Sequence, residues 1–281
     1  MPTIHPLSVV EKGAELGENV SIGPFCHVGP DVAIGPGSEL ISHVTITGRT
    51  TLGSDNIVWP QAVLGGDPQD LKFHGEDSRL VIGDHNHIRE SVTIHKGTNN
   101  DEGVTRIGDK NLLMATVHIG HDCTIGSNCI LANSVALAGH VHIEDYASVA
   151  GLVGVHHFVT IGKYAYVGGA SRLTSDVPPF MLVEGSPARV RRTNTVLLKR
   201  LNFSDEQVEQ LKVAYKMLYR GSRNGQFVGH TAEILVELEQ RFPDDELIGD
   251  LITSLRHSLA GVHGRYRETL RQDKVFSNSA K

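Results

Sequence analysis

Histidines are frequent in this chain and crowd into one part of it. The 281 residues include 16 histidines, and one dense group comprises His118, His121, His140, His142, His156 and His157. A neutral imidazole, with an ordinary pKa of about 6.5, accepts a proton at physiological pH, so the group suits general acid–base catalysis. Asp122 directly follows His121 and is of the type that fixes the tautomer of a catalytic imidazole and stabilises its charged form.

The elements that must position these histidines follow from a repeat. With two interruptions, Ile, Val or Leu recurs every six residues from Ile4 to Leu173, for example at Ile107, Leu113, Ile119, Ile125, Leu131 and Leu137. A helical period of about 3.6 residues does not produce this spacing. It indicates a parallel β-helix, in which each hexapeptide forms one short strand and one corner and the aliphatic side chain fills the interior.

The two interruptions are insertions at residues 65–81 and 95–106. Both are polar and contain Gly, as is typical of loops that leave a regular solenoid. Such loops often carry binding function. We therefore expect at least one of them to contribute to a binding site.

Helical patterns follow the last repeat. A capping box begins at Ser204, and two more helices are predicted over Thr231–Arg241 and Asp245–Leu259. We therefore expect a β-helix over residues 1–190 and an α-helical domain over residues 191–281.

Zinc binding is a second chemistry that the histidines allow. The run from His118 to Cys123 contains the pattern H-x-x-H-x-C, whose residue types are zinc ligands. However, Cys123 occupies the repeat position that takes small inward-facing residues, as do Cys26 and Cys129. We therefore expect three buried thiols and no metal in the site. Zinc-dependent hydration on the same fold stays open as an alternative.

The hexapeptide repeat resembles that of the left-handed β-helix acyltransferases. This resemblance implies a mostly β fold with left-handed coils of three hexapeptides each and a C-terminal α-helical domain. In such coils His121, Gly139 and His157 form one column on the outside of the solenoid. We expect His121 to face outward as a general base, Asp122 to fold back towards it at a corner, and the Gly139 N–H to act as an oxyanion donor. No Ser or Cys is placed as a covalent nucleophile, which favours direct attack by the acceptor.

Longer motifs resemble one family, the UDP-N-acetylglucosamine O-acyltransferases that open lipid A synthesis. The matching stretches include PQDLKF (68–73), IRESVTIHKGT (88–98), HIGHDCTIG (118–126) and LAGHV (137–141). The resemblance implies transfer of a 3-hydroxyacyl chain from acyl carrier protein to the 3-hydroxyl of UDP-N-acetylglucosamine. It implies catalytic roles for His121, Asp122 and Gly139. The residues expected to contact substrate are Gln69, Asp70, Lys72, His95, His118, His140, His156, His157, Gly169, Asn194 and Arg200.

The resemblance also implies a homotrimer, with each active site between neighbouring subunits and no cofactor. The net charge of −6 argues against general nucleic-acid binding. A basic stretch over residues 185–223, with nine Lys or Arg against three acids, suits the anionic carrier protein and nucleotide. No run of 18 apolar residues predicts a transmembrane segment, and Met1–Pro6 shows no signal peptide, so we expect a cytoplasmic protein.

Two departures from the family pattern bear on substrate binding. Val196 stands where the family commonly has Glu, so a nucleotide hydrogen bond is expected to be lost. His157 stands where Gln is usual and adds a second titratable group to the column. These departures leave open a paralogue that acylates a related UDP-amino sugar. A non-catalytic interaction protein that uses the solenoid as a scaffold is a separate alternative.

Overall fold

Short strands joined by tight corners make up most of the molecule. The computed structural model describes residues 1–219 and 231–271, and these contain 28 strands and four α-helices. The strands are β1 Thr3–Ile4, β2 Val9–Val10, β3 Glu15–Leu16, β4 Ser21–Ile22, β5 His27–Val28, β6 Val32–Ile34, β7 Glu39–Leu40, β8 Thr45–Ile46, β9 Arg49–Leu52, β10 Ile57–Val58, β11 Val63–Gly66, β12 Arg79–Ile82, β13 His87–Ile88, β14 Thr93–His95, β15 Val104–Ile107, β16 Leu112–Leu113, β17 His118–Ile119, β18 Thr124–Ile125, β19 Ile130–Leu131, β20 Ala136–Leu137, β21 His142–Ile143, β22 Ser148–Val149, β23 Gly154–Val155, β24 Thr160–Ile161, β25 Tyr166–Val167, β26 Arg172–Leu173, β27 Met181–Gly185 and β28 Ala188–Thr193.

These strands build a solenoid with three walls. The first wall has the order β1-β4-β7-β10-β13-β16-β19-β22-β25-β27-β28. The second wall is β2-β5-β8-β11-β14-β17-β20-β23-β26, and the third is β3-β6-β9-β12-β15-β18-β21-β24. Where no insertion intervenes, each strand pairs with the strand three hexapeptides later. For example, β19 pairs with β22, with Ile130 opposite Ser148. The predicted coil of three hexapeptides is confirmed.

The repeated aliphatic side chains fill the interior, because the second residue of each short strand points inward. Ile119, Leu137 and Val155, on three successive coils, are at most 5% exposed. The thiols of Cys26, Cys123 and Cys129 are also buried, as predicted. The outward residues of the same strands are left to form the surfaces that a ligand meets.

Both insertions leave the solenoid at the same corner. Residues 67–78 connect β11 to β12 and residues 96–103 connect β14 to β15, so each passes from the second wall to the third. The predicted bounds 65–81 and 95–106 are wider than the loops, because residues 79–81 pair with residues 104–106 in the third wall and Gly66 pairs with His95 in the second. The two loops therefore rise over the corner at which His121 is expected.

The helices are α1 Thr195–Arg200, α2 Asp205–Tyr219, α3 Thr231–Arg241 and α4 Glu246–Ala260. The predicted capping box is present: Gln207 N donates to Ser204 Oγ at 3.1 Å, and Ser204 N donates to Gln207 Oε1 at 2.9 Å. Asp245 caps α4, accepting from Leu247 N at 2.9 Å, so this helix starts one residue later than predicted.

The last strand links the solenoid to the helices. β27 and β28 pair antiparallel, which ends the parallel ladder of the first wall. The predicted boundary after residue 190 falls inside β28, and α1 was not predicted from the sequence. Within residues 1–219 and 231–271, none of the helices combines the length and the apolar character needed to cross a membrane.

Candidate active site

His121 occupies a corner between the second and third walls, next to Gly139 of the following coil. His140 N donates to His121 O at 2.9 Å, and Phe158 N donates to Gly139 O at 3.4 Å, so three successive corners stack. A β-carbon added to Gly139 would lie 2.5 Å from His121 Cε1, which places the glycine backbone beside the imidazole. The predicted column is present.

Asp122 turns back towards the imidazole of its neighbour, because its backbone adopts a left-handed conformation with φ of 59°. Its Oδ2 lies 2.8 Å from His121 Nδ1. Thr98, in the second insertion, donates to the same carboxylate from its N–H at 2.8 Å and from its hydroxyl at 2.6 Å. An ionised carboxylate only accepts hydrogen bonds, so Nδ1 carries the proton and Nε2 is left as the basic nitrogen.

A second imidazole–carboxylate pair lies beside the first. His140 Nδ1 is 3.1 Å from Asp101 Oδ2, a contact that lowers the pKa of Asp101. The ring of His140 stacks on Phe158 with centroids 4.4 Å apart and meets His121 edge-on at 5.1 Å. This pair packs against one side of His121 and restricts its orientation.

Two more predicted residues lie on neighbouring strands of the second wall. His118 Nδ1 is 2.8 Å from Thr93 Oγ1, and the ring of His118 meets that of His95 edge-on at 5.0 Å. Burial, together with the neighbouring His118 and His121, lowers the pKa of His95 to about 4. Burial, then the proximity of His121, also lowers the pKa of His118. Both imidazoles are therefore uncharged hydrogen-bonding groups at neutral pH.

A cavity of about 520 Å³ opens over His121. Its lining residues are Gln69, Asp70, Leu71, Lys72, Asn100, His121, His140, His156, His157, Phe158, Glu268 and Arg271. The predicted substrate contacts of the first insertion thus share one cavity with the histidine column. Burial, followed by the charges of the nearby histidines, lowers the pKa of His157.

The exposure of His121 differs from the expectation. Its side chain leaves the solenoid at a corner, as predicted, yet the residue is only 9% exposed. The second insertion and His140 cover it, because Thr98 is drawn over the corner by its two hydrogen bonds to Asp122. A single chain therefore already shields part of the site from water.

An apolar groove runs from the cavity along the second wall. It has a volume of about 460 Å³, and its lining includes His118, Ala136, Gly154, His156 and Arg172. The groove and the cavity share His156. Because the outward residues of β20 and β23 are Ala136 and Gly154, the wall between His118 and Arg172 is smooth and apolar enough for a hydrocarbon chain.

Six predicted site residues line neither cavity: His95, Asp122 and Gly139, which lie beside His118 and His121 as described above, and Asn194, Arg200 and Gly169. Asn194 is 6% exposed and serves the fold, since its side chain donates to Tyr164 O at 2.9 Å and accepts from Leu197 N as the cap of α1. Arg200 lies exposed near the end of the same helix. Gly169 is exposed at the corner that leads into β26, close to the Arg172 end of the groove.

The arrangement of the potential metal ligands fits a zinc site poorly. Cys123 Sγ faces the core and donates to Ala138 O at 3.1 Å, so the H-x-x-H-x-C pattern does not converge. Potential ligand atoms of His121, Asp122 and His140 do lie within 4.8 Å of one another. Both oxygens of Asp122 already accept hydrogen bonds from Thr98, an arrangement that suits a carboxylate orienting an imidazole.

Several residues of the site were not predicted individually. Thr98 and Asp101 belong to the second insertion, which was predicted to carry function but has no internal period that would single them out. Phe158 directly follows His156 and His157. It lies one coil after His140, and this spacing could have predicted that the two rings stack. Glu268 and Arg271 come from a segment after α4 that carries no motif.

Family models match both parts of the chain. A model described as "Udp N-acetylglucosamine O-acyltransferase; Domain 2" matches residues 176–263. A bacterial transferase hexapeptide model of six repeats matches residues 13–48 and 105–139.

Similar proteins cover most of the chain. An acyl-[acyl-carrier-protein]–UDP-N-acetylglucosamine O-acyltransferase of Verminephrobacter eiseniae is 50% identical over 220 residues, which are 78% of this chain and 84% of that protein. The crystal structure of a UDP-N-acetylglucosamine acyltransferase from Bacteroides fragilis matches with a TM-score of 0.85 and 36% identity, over 90% of this chain and 97% of that one. The Francisella novicida enzyme of the same name matches with a TM-score of 0.83 and 40% identity, over 90% and 91% of the two chains.

These similarities agree with the hexapeptide repeat, the cavity over His121 and the helical end of the molecule. They also give the solenoid its hand, which is left-handed as in the solved relatives. The chain is therefore an acyltransferase and belongs to the UDP-N-acetylglucosamine O-acyltransferase family.

Proposed function

We propose that this chain transfers a 3-hydroxyacyl group from acyl carrier protein to the 3-hydroxyl of UDP-N-acetylglucosamine, in the cytoplasm, as the first step of lipid A biosynthesis. The name of the Verminephrobacter relative supports the donor and the acceptor. The chemistry is carried by one observation. His121 Nδ1 is held 2.8 Å from the buried Asp122 carboxylate while its ring lies against the Gly139 backbone.

The reaction begins with proton transfer to His121. Nε2 takes the proton of the sugar 3-hydroxyl as the oxygen attacks the thioester carbonyl, and a tetrahedral oxyanion forms. The intermediate then collapses, the carbon–sulfur bond breaks, and the imidazolium returns the proton to the departing thiolate. The products are an ester and a free carrier-protein thiol. The thioester supplies the activation, so the proposed mechanism needs no metal or organic cofactor.

The Gly139 N–H is the proposed donor to the oxyanion. Among the residues that the structure describes, no backbone acceptor takes this N–H. It lies beside the imidazole that brings the nucleophile, and a glycine lets the thioester approach closely.

The Gly139→Ala variant is expected to lose transfer activity by about 10²-fold while its unfolding temperature changes little. The added β-carbon would lie 2.6 Å from His121 Nε2, so the ring must turn away from Asp122. Steady-state kinetics and thermal unfolding check both statements. Gly249→Ala in α4 is the matched control, since nothing lies within 4 Å of its β-carbon. Full activity in the Gly139 variant would contradict the proposed placement of the Gly139 N–H and the His121 ring around the thioester.

The acyl chain is proposed to lie in the groove of the second wall. The thioester must sit at His121, and the groove leaves the cavity at His156 and continues over Ala136 and Gly154. The resemblance to the family implies that Gly169 forms the floor of the acyl groove, and we adopt that role in the proposal. Its position at the corner before β26 agrees with that role.

Gly154→Met and Gly169→Met are expected to shift the preferred donor to a shorter acyl chain. At Gly154 the new side chain has open space around its β-carbon and would stand in the groove. At Gly169 the nearest neighbour of the β-carbon, Gly151 O, is at 3.4 Å, so the fold should tolerate the change. Rates measured with carrier-protein donors of several chain lengths check this. An unchanged profile in both variants would show that the chain runs elsewhere.

A homotrimer is proposed to complete the site. Leu71 at the cavity is 98% exposed and Leu152 on the solenoid surface is 69% exposed, which suits burial against a second copy. Asn194 and Arg200 lie outside the cavity of their own chain, so a neighbouring copy would have to supply them to the nucleotide. Light scattering should give three times the chain mass of 30.5 kDa. A monomeric mass would contradict the trimer and would mean that Asn194 and Arg200 do not contact the nucleotide.

A transfer assay with purified protein tests the proposed function. It offers 3-hydroxyacyl carrier proteins of several lengths to UDP-N-acetylglucosamine and, separately, to its 3-amino analogue. Product with the 3-hydroxyl acceptor supports the proposal. Product only with the amino analogue would identify a paralogue, with the exposed Val196 as the first residue to test. No product with either acceptor would contradict acyl transfer to these sugars.

A further inference from the structure

The chain returns to the catalytic cavity after α4. Residues 261–271, here called the C-terminal strap, follow α4 and include a short 3-10 helix over Arg267–Leu270. Glu268 and Arg271 of the strap line the cavity that contains His121. The matched family domain ends at residue 263, so both residues lie beyond it.

Hydrogen bonds fix the strap to the end of the solenoid. Asp176 N donates to Gly264 O at 2.8 Å, and Tyr266 N donates to Asp176 Oδ2 at 3.0 Å. The Arg265 guanidinium is buried and donates to Thr174 O at 2.7 Å. Gly264 has φ of 78°, a left-handed conformation that lets the chain reverse there. The strap is thus an anchored wall of the cavity.

The strap contributes the guanidinium of Arg271 to the cavity. The carboxylate of Glu268 is paired with Arg265, whose Nε donates to it at 2.7 Å, so its charge is largely neutralised. The Arg271 guanidinium lies 5.7 Å from the ring centre of Phe158, which is the ring that stacks on His140. Lys72 lines the same cavity from the first insertion. The cavity therefore has one cationic side chain on the loop side and another on the strap side.

We propose that Arg271 binds the diphosphate of the UDP-sugar acceptor. This rests on the proposed function. The diphosphate is attached to the same sugar ring whose 3-hydroxyl must reach His121, so it lies in or at the mouth of this cavity. The phosphate of the carrier-protein arm is separated from the thioester by the length of the arm and lies farther away. A planar guanidinium offers paired donors that match phosphate oxygens.

Calorimetric titration with UDP-N-acetylglucosamine, with no acyl donor present, tests the assignment. Arg271→Gln is expected to raise the Kd about 10-fold, and Arg271→Lys to recover part of the loss. Arg256→Gln is the control, because this exposed arginine of α4 pairs with Glu239 instead. An unchanged Kd in Arg271→Gln would overturn the proposal. Because no turnover is needed, the result stands apart from any failure of the transfer assay.

Kinetics distinguish the two phosphate sources. Arg271→Gln is expected to raise the KM for the UDP-sugar about 10-fold, with kcat changed less than about two-fold and an unchanged KM for the acyl carrier protein. A rise confined to the carrier-protein KM would overturn the assignment to the diphosphate and place the guanidinium at the donor arm.

Discussion

The His121→Ala variant should lose at least about 10³-fold of the transfer rate and remain folded, because it removes the proposed base without removing a core side chain. The imidazole lies at a corner of the solenoid, where Nδ1 contacts Asp122 and the ring meets His140 edge-on, and it is not part of the hydrophobic core cluster. Initial rates at saturating donor and acceptor measure the loss in kcat.

His85→Ala provides the control for this experiment. His85 is exposed, lies at a different corner of the solenoid and has Asp55 as a distant partner at 3.8 Å. It should keep the wild-type rate and unfolding temperature. A His121 variant that retains a large part of the wild-type rate would refute general-base catalysis by this residue.

Asp122→Asn is expected to have the second-largest effect, a loss of about 10²- to 10⁴-fold in kcat with a smaller change in KM. The carboxylate accepts hydrogen bonds through both of its oxygens, whereas an amide accepts them through one oxygen only. Presenting its NH₂ group to His121 would favour a proton on Nε2, which is the wrong tautomer for a base. The amide oxygen can still accept from Thr98 N, so the corner should keep its shape.

Asp101→Asn tests whether the loss is specific to the first pair. It makes the same chemical change in the second imidazole–carboxylate pair, where Asp101 contacts His140 at 3.1 Å. Its effect should be much smaller, because His140 is proposed to orient His121 rather than to take the proton. Equal losses in the two variants would mean that the two histidines share the role of base.

Much of this site follows from counting along the sequence. An inward aliphatic residue at every sixth position fixes which side chains are internal, as Ile119 and Leu137 show. The coil of three hexapeptides, taken from the resemblance, then places His121 beside Gly139 and brings both insertions to one corner. These relations depend only on the period of the solenoid, so they can be predicted without any knowledge of side-chain conformation.

Contacts that break the period could not be predicted in this way. The corner at Asp122 is not one of these contacts: a left-handed residue recurs every six positions, as at Thr116 and Asp122, and Asp122 was expected to fold back there. Thr98 reaches Asp122 from a non-repetitive loop, and Arg271 arrives from a distant part of the chain. Conversely, His142 belongs to the histidine cluster in sequence but lies on the third wall, where burial lowers its pKa to about 4.

The measurement that tests the central claim most directly is the transfer rate of metal-free enzyme. His121, Asp122 and His140 bring their potential ligand atoms within 4.8 Å of one another, so a zinc-dependent reaction would have to use the same residues as the proposed imidazole base. The protein is stripped with a chelator, its metal content is verified by mass spectrometry, and the initial rate is measured before and after zinc is added. We predict the full rate without metal and no gain on adding zinc. A stripped enzyme that is inactive and recovers with stoichiometric zinc would contradict general-base catalysis by His121.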